Sequence, residues 1–296
     1  MRNHPELLVA GSVALDTRDG PYGHLTDELG GSAVYFALAA SLIIPVKVLG
    51  AVGRDGADRL AQAFGDRPID TEHLQVLDAP TYRWRAHQEH GRNVDLGSSD
   101  TIYDVWEPSV PPEFAGWVFV GSMRPDRQVQ VMTHLGAAGL LAADAMLSYT
   151  QRKAPESKDV LRRAGWFFCN QEEFAALGGQ EPEEFRRQWW LDGLVLKAGP
   201  GGVTAHTPDG AVHIPALTGH PVLDTTGAGD AVAGGMLARW LSTGGQRSGL
   251  LDALMCGVAC ASLTIESIGI RGIATATPRL LEKRIAEVVE CLRRES

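Results

Sequence analysis

Aspartates close both ends of the run Asp224-Thr225-Thr226-Gly227-Ala228-Gly229-Asp230, which leads into the small and apolar stretch Ala231-Val232-Ala233-Gly234-Gly235-Met236-Leu237-Ala238. The order predicts a tight glycine turn feeding a buried helix, with the Asp230 carboxylate at the helix entrance. Backbone N–H groups of a first helical turn have no intrahelical partner, and the helix dipole adds partial positive charge at the same point. Small residues there make an anion seat. A carboxylate that merely lined a phosphate seat would repel its ligand. Asp230 is better employed taking a proton from a substrate hydroxyl beside the phosphoryl group. Gly227, Ala228 and Gly229 would then hold the migrating group, and the chemistry is phosphoryl transfer. Two other glycine-rich templates fail. No Gly-x4-Gly-Lys-Ser/Thr string occurs, and Gly227 and Gly229 are followed by Val232 where a dinucleotide fingerprint needs Gly or Ala. A plain turn before a core helix would leave two aspartates and two threonines unexplained.

Such a seat has to be carried by regular elements, and short apolar runs alternate with helical patterns along the chain. Residues 7–13, 46–52, 118–120, 140–143, 166–169 and 194–197 read as strands, and 33–44, 57–64, 127–135, 158–163 and 183–190 as helices. That alternation predicts an α/β fold, a parallel sheet with helices on both faces. Toward the C-terminus, 231–241 and 250–265 read as buried helices, and Pro278 opens a charged amphipathic one over 279–294. Residues 16–28 and 80–107 break the alternation. They are polar, rich in turn residues, and interleave aromatic with charged side chains, as in Tyr82-Arg83-Trp84-Arg85. Read as strands, they make a small sheet inserted into a single domain of 296 residues. A lid is the natural role, because Tyr82, Trp84, Tyr103 and Trp106 are costly to leave in solvent. Ligands of open α/β sheets gather at the carboxyl ends of strands. Asp16, Gly30, Gly31, Ser122, Met123, Asn170, Gly199 and the 224–230 segment can therefore share one cleft.

Composition narrows the partners. Hydrophobic residues make up 44% and charged residues 21%, an ordinary globular balance that excludes a disordered chain. With 36 acidic against 27 basic residues the formal charge is -9, which disfavours nucleic acid or an anionic membrane as partner. Cys169, Cys256, Cys260 and Cys291 are too few for a disulfide framework and lack the neighbours of a metal set. The first residues have no signal-peptide core, and the most apolar run, 33–44, is too short for a bilayer and stops at Pro45. A cytoplasmic location is expected.

The 224–230 segment resembles the second signature of the ribokinase-like carbohydrate kinases, the PfkB family, and three more elements follow in family order. Leu29-Gly30-Gly31-Ser32-Ala33 with Val52-Gly53-Arg54-Asp55-Gly56 resembles the N-terminal signature, and Asn170-Gln171-Glu172-Glu173 the Asn-x-x-Glu element. Lys197-Ala198-Gly199-Pro200-Gly201-Gly202 resembles the glycine loop that borders the nucleotide. The resemblance implies a three-layer αβα sandwich with a mostly parallel central sheet and a small β-sheet lid, whose outer face pairs two copies in some members. It implies ATP and Mg2+, leaves a monovalent cation requirement open, and makes the reaction transfer of the γ-phosphoryl group to a hydroxyl of a small sugar or sugar-like polyol. Lys197, Gly199, Gly202, Thr225, Gly227 and Gly229 would border the nucleotide, with Gly257, Cys260 and Ala261 at its adenine. Asn170 and Glu173 would hold the magnesium ion through its waters. Asn-x-x-Glu is equally a helix capping box, and 197–204 equally a hairpin.

On the acceptor side, Asp16 matches the family's aspartate after the first strand, and its two oxygens suit a vicinal diol. Gly30 and Gly31 would let a sugar approach the backbone closely. Ala14 and Tyr35 stand where asparagines are common in the family, which makes the pocket more apolar and aromatic. Tyr35 with Arg83, Trp84 or Arg85 would stack on a base or cover an alicyclic ring, so a nucleoside or an inositol competes with a free sugar. Two readings from other classes stand beside the kinase. A sugar or nucleotide sensor without turnover is disfavoured by the retained Asp230, and a nicotinamide-dependent dehydrogenase lacks its fingerprint.

Overall fold

The computed structural model describes residues 6–89, 92–111, 113–135 and 138–295. In chain order its strands are β1 (Leu7–Ala10), β2 (Ala14–Gly20), β3 (Gly23–Gly30), β4 (Val46–Gly53), β5 (Ile69–Leu77), β6 (Arg83–Glu89), β7 (Arg92–Ser99), β8 (Trp117–Val120), β9 (Leu140–Asp144), β10 (Trp166–Asn170), β11 (Gly193–Lys197), β12 (Val203–Thr207) and β13 (Gly210–Ile214). Nine of them form one sheet in the order β13-β12-β11-β10-β9-β8-β1-β4-β5. Pairing is parallel from β11 across to β5, and β12 alone runs against the rest, paired antiparallel with β11 and with the edge strand β13.

Side-chain alternation along these strands splits the interior into two cores. Leu7, Val9, Phe168 and Val195 join one, beneath the helices Ser32–Ala40, Ala228–Ser242 and Leu250–Ile265. Leu8, Ala10, Phe167 and Leu194 join the other, beneath Pro125–His134 and Ala154–Arg163. The result is the expected three-layer αβα sandwich. Every residue of Ser32–Ala40 is buried, which is why that helix is apolar all round. Residues 247–265 are long and apolar enough to cross a membrane, yet they lie mostly inside the protein against Ala228–Ser242.

β5 and the β12–β13 pair escape a search for apolar runs. β5 is an edge strand with its side chains half or fully exposed, so its nine residues need little apolar character. The helices Leu147–Arg152, Gln171–Ala176 and Arg271–Thr275 are too short to display a helical period.

The remaining strands form a second, smaller sheet in the order β3-β2-β6-β7, built from the two stretches that break the alternation. β2 with β3 and β6 with β7 are antiparallel pairs, and β2 joins β6 in parallel, with Thr17 opposite Arg85. The second stretch contributes less to it than expected. After β7 the chain makes the helix Ile102–Val105 and buries Tyr103 and Trp106 in the second core of the body, next to Tyr82. Those three rings are core packing, and only Trp84 of the four aromatics sits on a strand of the smaller sheet.

Candidate active site

The helix Ala228–Ser242 begins where it does because small residues let it sink against its neighbours. A Cβ on Gly234 would stand 2.5 Å from the Phe36 carbonyl oxygen, and one on Gly257 would stand 2.7 Å from that of Val232. Cys260 is buried against Gly235 in the same contact. Gly257 and Cys260 thus take part in packing helix on helix. Ala261 beside them is half-buried. Gly227 precedes the helix in the left-handed region at φ 75°, and a Cβ on it would lie 2.2 Å from the Tyr35 ring. Only glycine fits. The Ala231 N–H donates to the Gly227 carbonyl at 2.9 Å and the Ala228 N–H to the Thr225 carbonyl at 3.3 Å. Ala228 is therefore partly committed to the turn, and Gly229 and Asp230 carry the first-turn amides that helix geometry leaves without a carbonyl.

Charged side chains converge under this entrance. Asn170 and Lys197 are register partners at the carboxyl ends of β10 and β11, and Lys197 Nζ donates to Asp144 Oδ2 at 3.1 Å, at the end of β9. A Cβ on Gly229 would lie 3.0 Å from that nitrogen, so the ammonium sits directly beneath the seat. Burial alone would push Lys197 down, but Asp144, Glu173 and Asp230 outweigh it and hold the lysine charged. The half-buried Asp230 is pushed up to about 8, by burial first and Asp144 next, against the pull of Lys197. A carboxyl in that range is poised for base chemistry near neutral pH. Asp144 was not singled out by its sequence, although a lone carboxylate ending an apolar strand at its carboxyl end was a usable signal.

Asn170 and Glu173 form a full capping box on Gln171–Ala176. Asn170 Oδ1 accepts from the Glu173 N–H at 2.8 Å, and Glu173 Oε2 accepts from the Asn170 N–H at 2.8 Å. Burial pushes Glu173 up to about 7, while backbone N–H groups of Asn170 and Leu147 hold its carboxylate. Among the described residues no group of three or more His, Cys, Asp or Glu side chains gathers around a point. Gly199 is exposed and Gly202 buried, flanking the turn of the antiparallel β11–β12 hairpin, so the hairpin reading of 197–204 holds. Thr225 is half-buried between Asp224 and the seat.

Across the cleft, Asp16 on β2 is 2% exposed, and its Oδ1 has no partner among the described residues. Gly30 leaves the room that this carboxylate fills, since a Cβ there would lie 2.4 Å from Oδ2. Burial pushes Asp16 up to about 7, with Arg18 opposing and Asp224 and Glu28 adding. Gly31 holds φ 100° against the Ser12 carbonyl, at the start of Ser32–Ala40. Tyr35 ties the two sides together. Its ring lies between Gly30 and Gly227, and burial pushes its hydroxyl well above the usual range, with Arg18 opposing and Asp224, Asp16 and Asp230 adding. At 1% exposure the ring is a floor under the seat and not an open platform for a base, which corrects the stacking expected of it. Arg83 is redirected as well. It pairs with Asp27 of β3 and, at 2.8 Å, with Asp55, and so clamps the smaller sheet to the body instead of reaching an acceptor.

One buried residue of this side escaped the sequence reading altogether. Arg18 donates from Nη1 to Asp224 and, at 2.8 Å, to Thr226 Oγ1, while Asn93 of β7 donates to the same threonine oxygen at 2.9 Å. Asp224 also accepts from the N–H groups of Thr226 at 3.0 Å and Gly269 at 2.7 Å. The first aspartate of the run thus organises the loop and anchors β2 of the smaller sheet. Burial alternating along β2, which sinks Asp16 and Arg18 together, was the available signal.

Residues 23–276 match the family model described as pfkB family carbohydrate kinase. The chain is 29% identical over 258 residues to an ATP-dependent ribose-1-phosphate kinase of Halopiger xanaduensis, covering 83% of each chain. It is 25% identical over 247 residues to a cytidine kinase of Thermococcus kodakarensis, covering 79% of this chain and 87% of that one. Its fold is similar to that of a nucleoside kinase of Methanocaldococcus jannaschii, with TM-score 0.74 at 19% identity over 95% of this chain and 98% of that one. A fructokinase of Vibrio cholerae superposes with TM-score 0.76 at 18% identity, over 95% and 99% of the two chains. The family match takes in the 224–230 segment, the charged cluster beneath it and most of the smaller sheet, and the protein belongs to the pfkB family of carbohydrate kinases, phosphotransferases with a hydroxyl acceptor.

Proposed function

We propose that the protein transfers the γ-phosphoryl group of ATP to a hydroxyl of a small sugar or sugar-like polyol, with Asp230 as general base. The observation that carries this is the position of Asp230, a half-buried carboxyl held at about 8 on the first turn of a helix whose Gly229 overlies the Lys197 ammonium. The acceptor lies between Asp16 and Asp230 under the lid. As its hydroxyl oxygen bonds to phosphorus, the bond from phosphorus to the bridging oxygen of ADP breaks and the hydroxyl proton passes to the Asp230 carboxylate. The amides of Gly229 and Asp230, the helix dipole and Lys197 oppose the negative charge on the transferring group. Magnesium bound with the nucleotide would neutralise phosphate charge, and Asn170 and Glu173 would hold its waters. Gly199, Gly202 and Thr225 border the nucleotide.

A nucleoside acceptor is the second reading, favoured by the similarity to a cytidine kinase. Val94 and Leu96, exposed on the lid edge strand β7, support pairing of two copies through the lid. Incubation with Mg-ATP and a panel of pentoses, hexoses, their phosphates, inositols and nucleosides is expected to give acceptor-dependent ADP release. Release with no panel member, alongside calorimetric binding of acceptor or nucleotide, would favour the sensor instead.

A further inference from the structure

A hydroxyl group has two lone pairs and one hydrogen, so every bond it can make is countable. Thr226 Oγ1 accepts from Arg18 Nη1 at 2.8 Å and from Asn93 Nδ2 at 2.9 Å, which fills both lone pairs. The two donors reach it from separate strands of the smaller sheet, β2 and β7, with β6 between them. The Thr226 hydrogen is confined to the one direction that remains. It has no acceptor among the described residues, although the residue is only 9% exposed.

The neighbouring oxygens do not take that hydrogen. Asp224 Oδ1 accepts from the Thr226 N–H at 3.0 Å, and Oδ2 accepts from Arg18 and from the Gly269 N–H at 2.7 Å. Asn93 Oδ1 and the Tyr35 hydroxyl are buried without a partner among the described residues. A buried donor left without an acceptor costs free energy that a ligand oxygen recovers. The seat is the adjoining residue. Thr226 is bonded to Gly227, with the two Cα atoms about 3.8 Å apart across the peptide, and the left-handed turn at Gly227 opens the helix Ala228–Ser242. A hydroxyl that accepts from a guanidinium is a stronger donor, because each bond in a chain polarises the next. An anionic oxygen suits it best.

Resting on the kinase reading above, we infer that the Thr226 hydroxyl is a further hydrogen-bond donor to the transferring phosphoryl group, beside the amides of Gly229 and Asp230, and that Arg18 and Asn93 aim it. Asn93 is a positioning residue. From the edge strand β7 it acts on the reaction through Thr226, 133 residues away in the chain. The hydroxyl keeps its proton throughout, since Asp230 is the base. A donor held in place by two bonds needs no reorganisation as charge redistributes over the phosphoryl oxygens, so its effect falls on kcat rather than on KM.

The test measures kcat, KM for Mg-ATP and KM for the best-used member of the acceptor panel in wild type, Thr226→Val, Thr226→Ser, Asn93→Ala and the double variant Asn93→Ala with Thr226→Val. Valine keeps the shape of threonine and removes the oxygen. The kcat of Thr226→Val is expected to fall about 10- to 100-fold with both KM values within about threefold of wild type, and Thr226→Ser is expected to recover most of that loss. Asn93→Ala is expected to lower kcat about 3- to 10-fold, the worth of one hydrogen bond, and to lower it no further in the double variant. A Thr226→Val kcat within about twofold of wild type, a change confined to the acceptor KM, or losses in kcat that add in the double variant overturns the inference and leaves the kinase reading standing. Turnover of no panel member by the wild type removes the kinase reading and the inference with it. If circular dichroism shows that Thr226→Val does not fold, Asn93→Ala decides alone, and a kcat within about twofold of wild type overturns the inference.

Discussion

Replacing Lys197 by methionine removes one charge and little volume from beside Asp144, within the field of Glu173 and Asp230. Lys197 bonds Asp144 at 3.1 Å and opposes the upward push on Asp144, Glu173 and Asp230 alike. The kinetic consequence follows from sign. With Asp230 at about 8, roughly a tenth of it is ionised at pH 7, and loss of the cation moves it higher still. The rising limb of kcat/KM against pH should therefore shift to higher pH. The consequence for stability follows from the same groups. Folded values of these carboxyls lie above the unfolded ones, so their contribution is most favourable in acid and is lost as pH rises through about 7 to 8. Without lysine, Asp144 is a buried carboxylate with no counter-ion, a defect of about 3–5 kcal/mol where it must ionise and less where it can stay protonated. Urea unfolding of Lys197→Met is expected to show the larger loss near pH 8 and the smaller near pH 5, with Asp144→Asn added to the variant recovering much of it. A rising limb that stays put or moves to lower pH, or a stability loss independent of pH, would refute the charge cluster as described.

Two further substitutions probe the frame around the seat. Gly227→Ala forces a left-handed alanine against the Tyr35 ring and is expected to cost about 2–4 kcal/mol in denaturant unfolding, with activity lost alongside. A variant within about 0.5 kcal/mol of wild type would show that the left-handed entrance is dispensable. Asn170→Ala removes the cap of Gln171–Ala176 and should lower stability by about 1 kcal/mol. Its KM for Mg-ATP should also rise if Asn170 holds the waters of the metal, and an unchanged KM would leave it with capping alone.

The strongest fold signals were those in which one face of an element is uniform. Interior strands such as Leu7–Ala10 and Trp166–Asn170 and the wholly buried helix Ser32–Ala40 are visible as apolar runs, because parallel strands and central helices have no wet side. β5 was invisible because an edge strand can be as polar as Ile-Asp-Thr-Glu-His. The seat was legible from Gly227, Gly229 and Asp230, since small residues beside a carboxylate at a helix start have few structural reasons to be there. Tyr35 and Arg83 were misplaced because residue type does not say which way a side chain turns. Tyr35 goes under Gly227, and Arg83 goes to Asp27 and Asp55. Asp144 and Arg18 were missed because their partners, Lys197 and Asp224, lie 53 and 206 residues away in the chain.

The role of Asp230 is tested most directly by single-turnover phosphoryl transfer in wild type and Asp230→Asn, at saturating Mg-ATP and acceptor near pH 8. The variant is expected to bind nucleotide normally, to unfold at a slightly higher temperature because a carboxyl held at about 8 has become neutral, and to react ~10²- to 10⁴-fold more slowly. Transfer by Asp230→Asn at a rate within about fivefold of wild type would contradict proton removal by this residue.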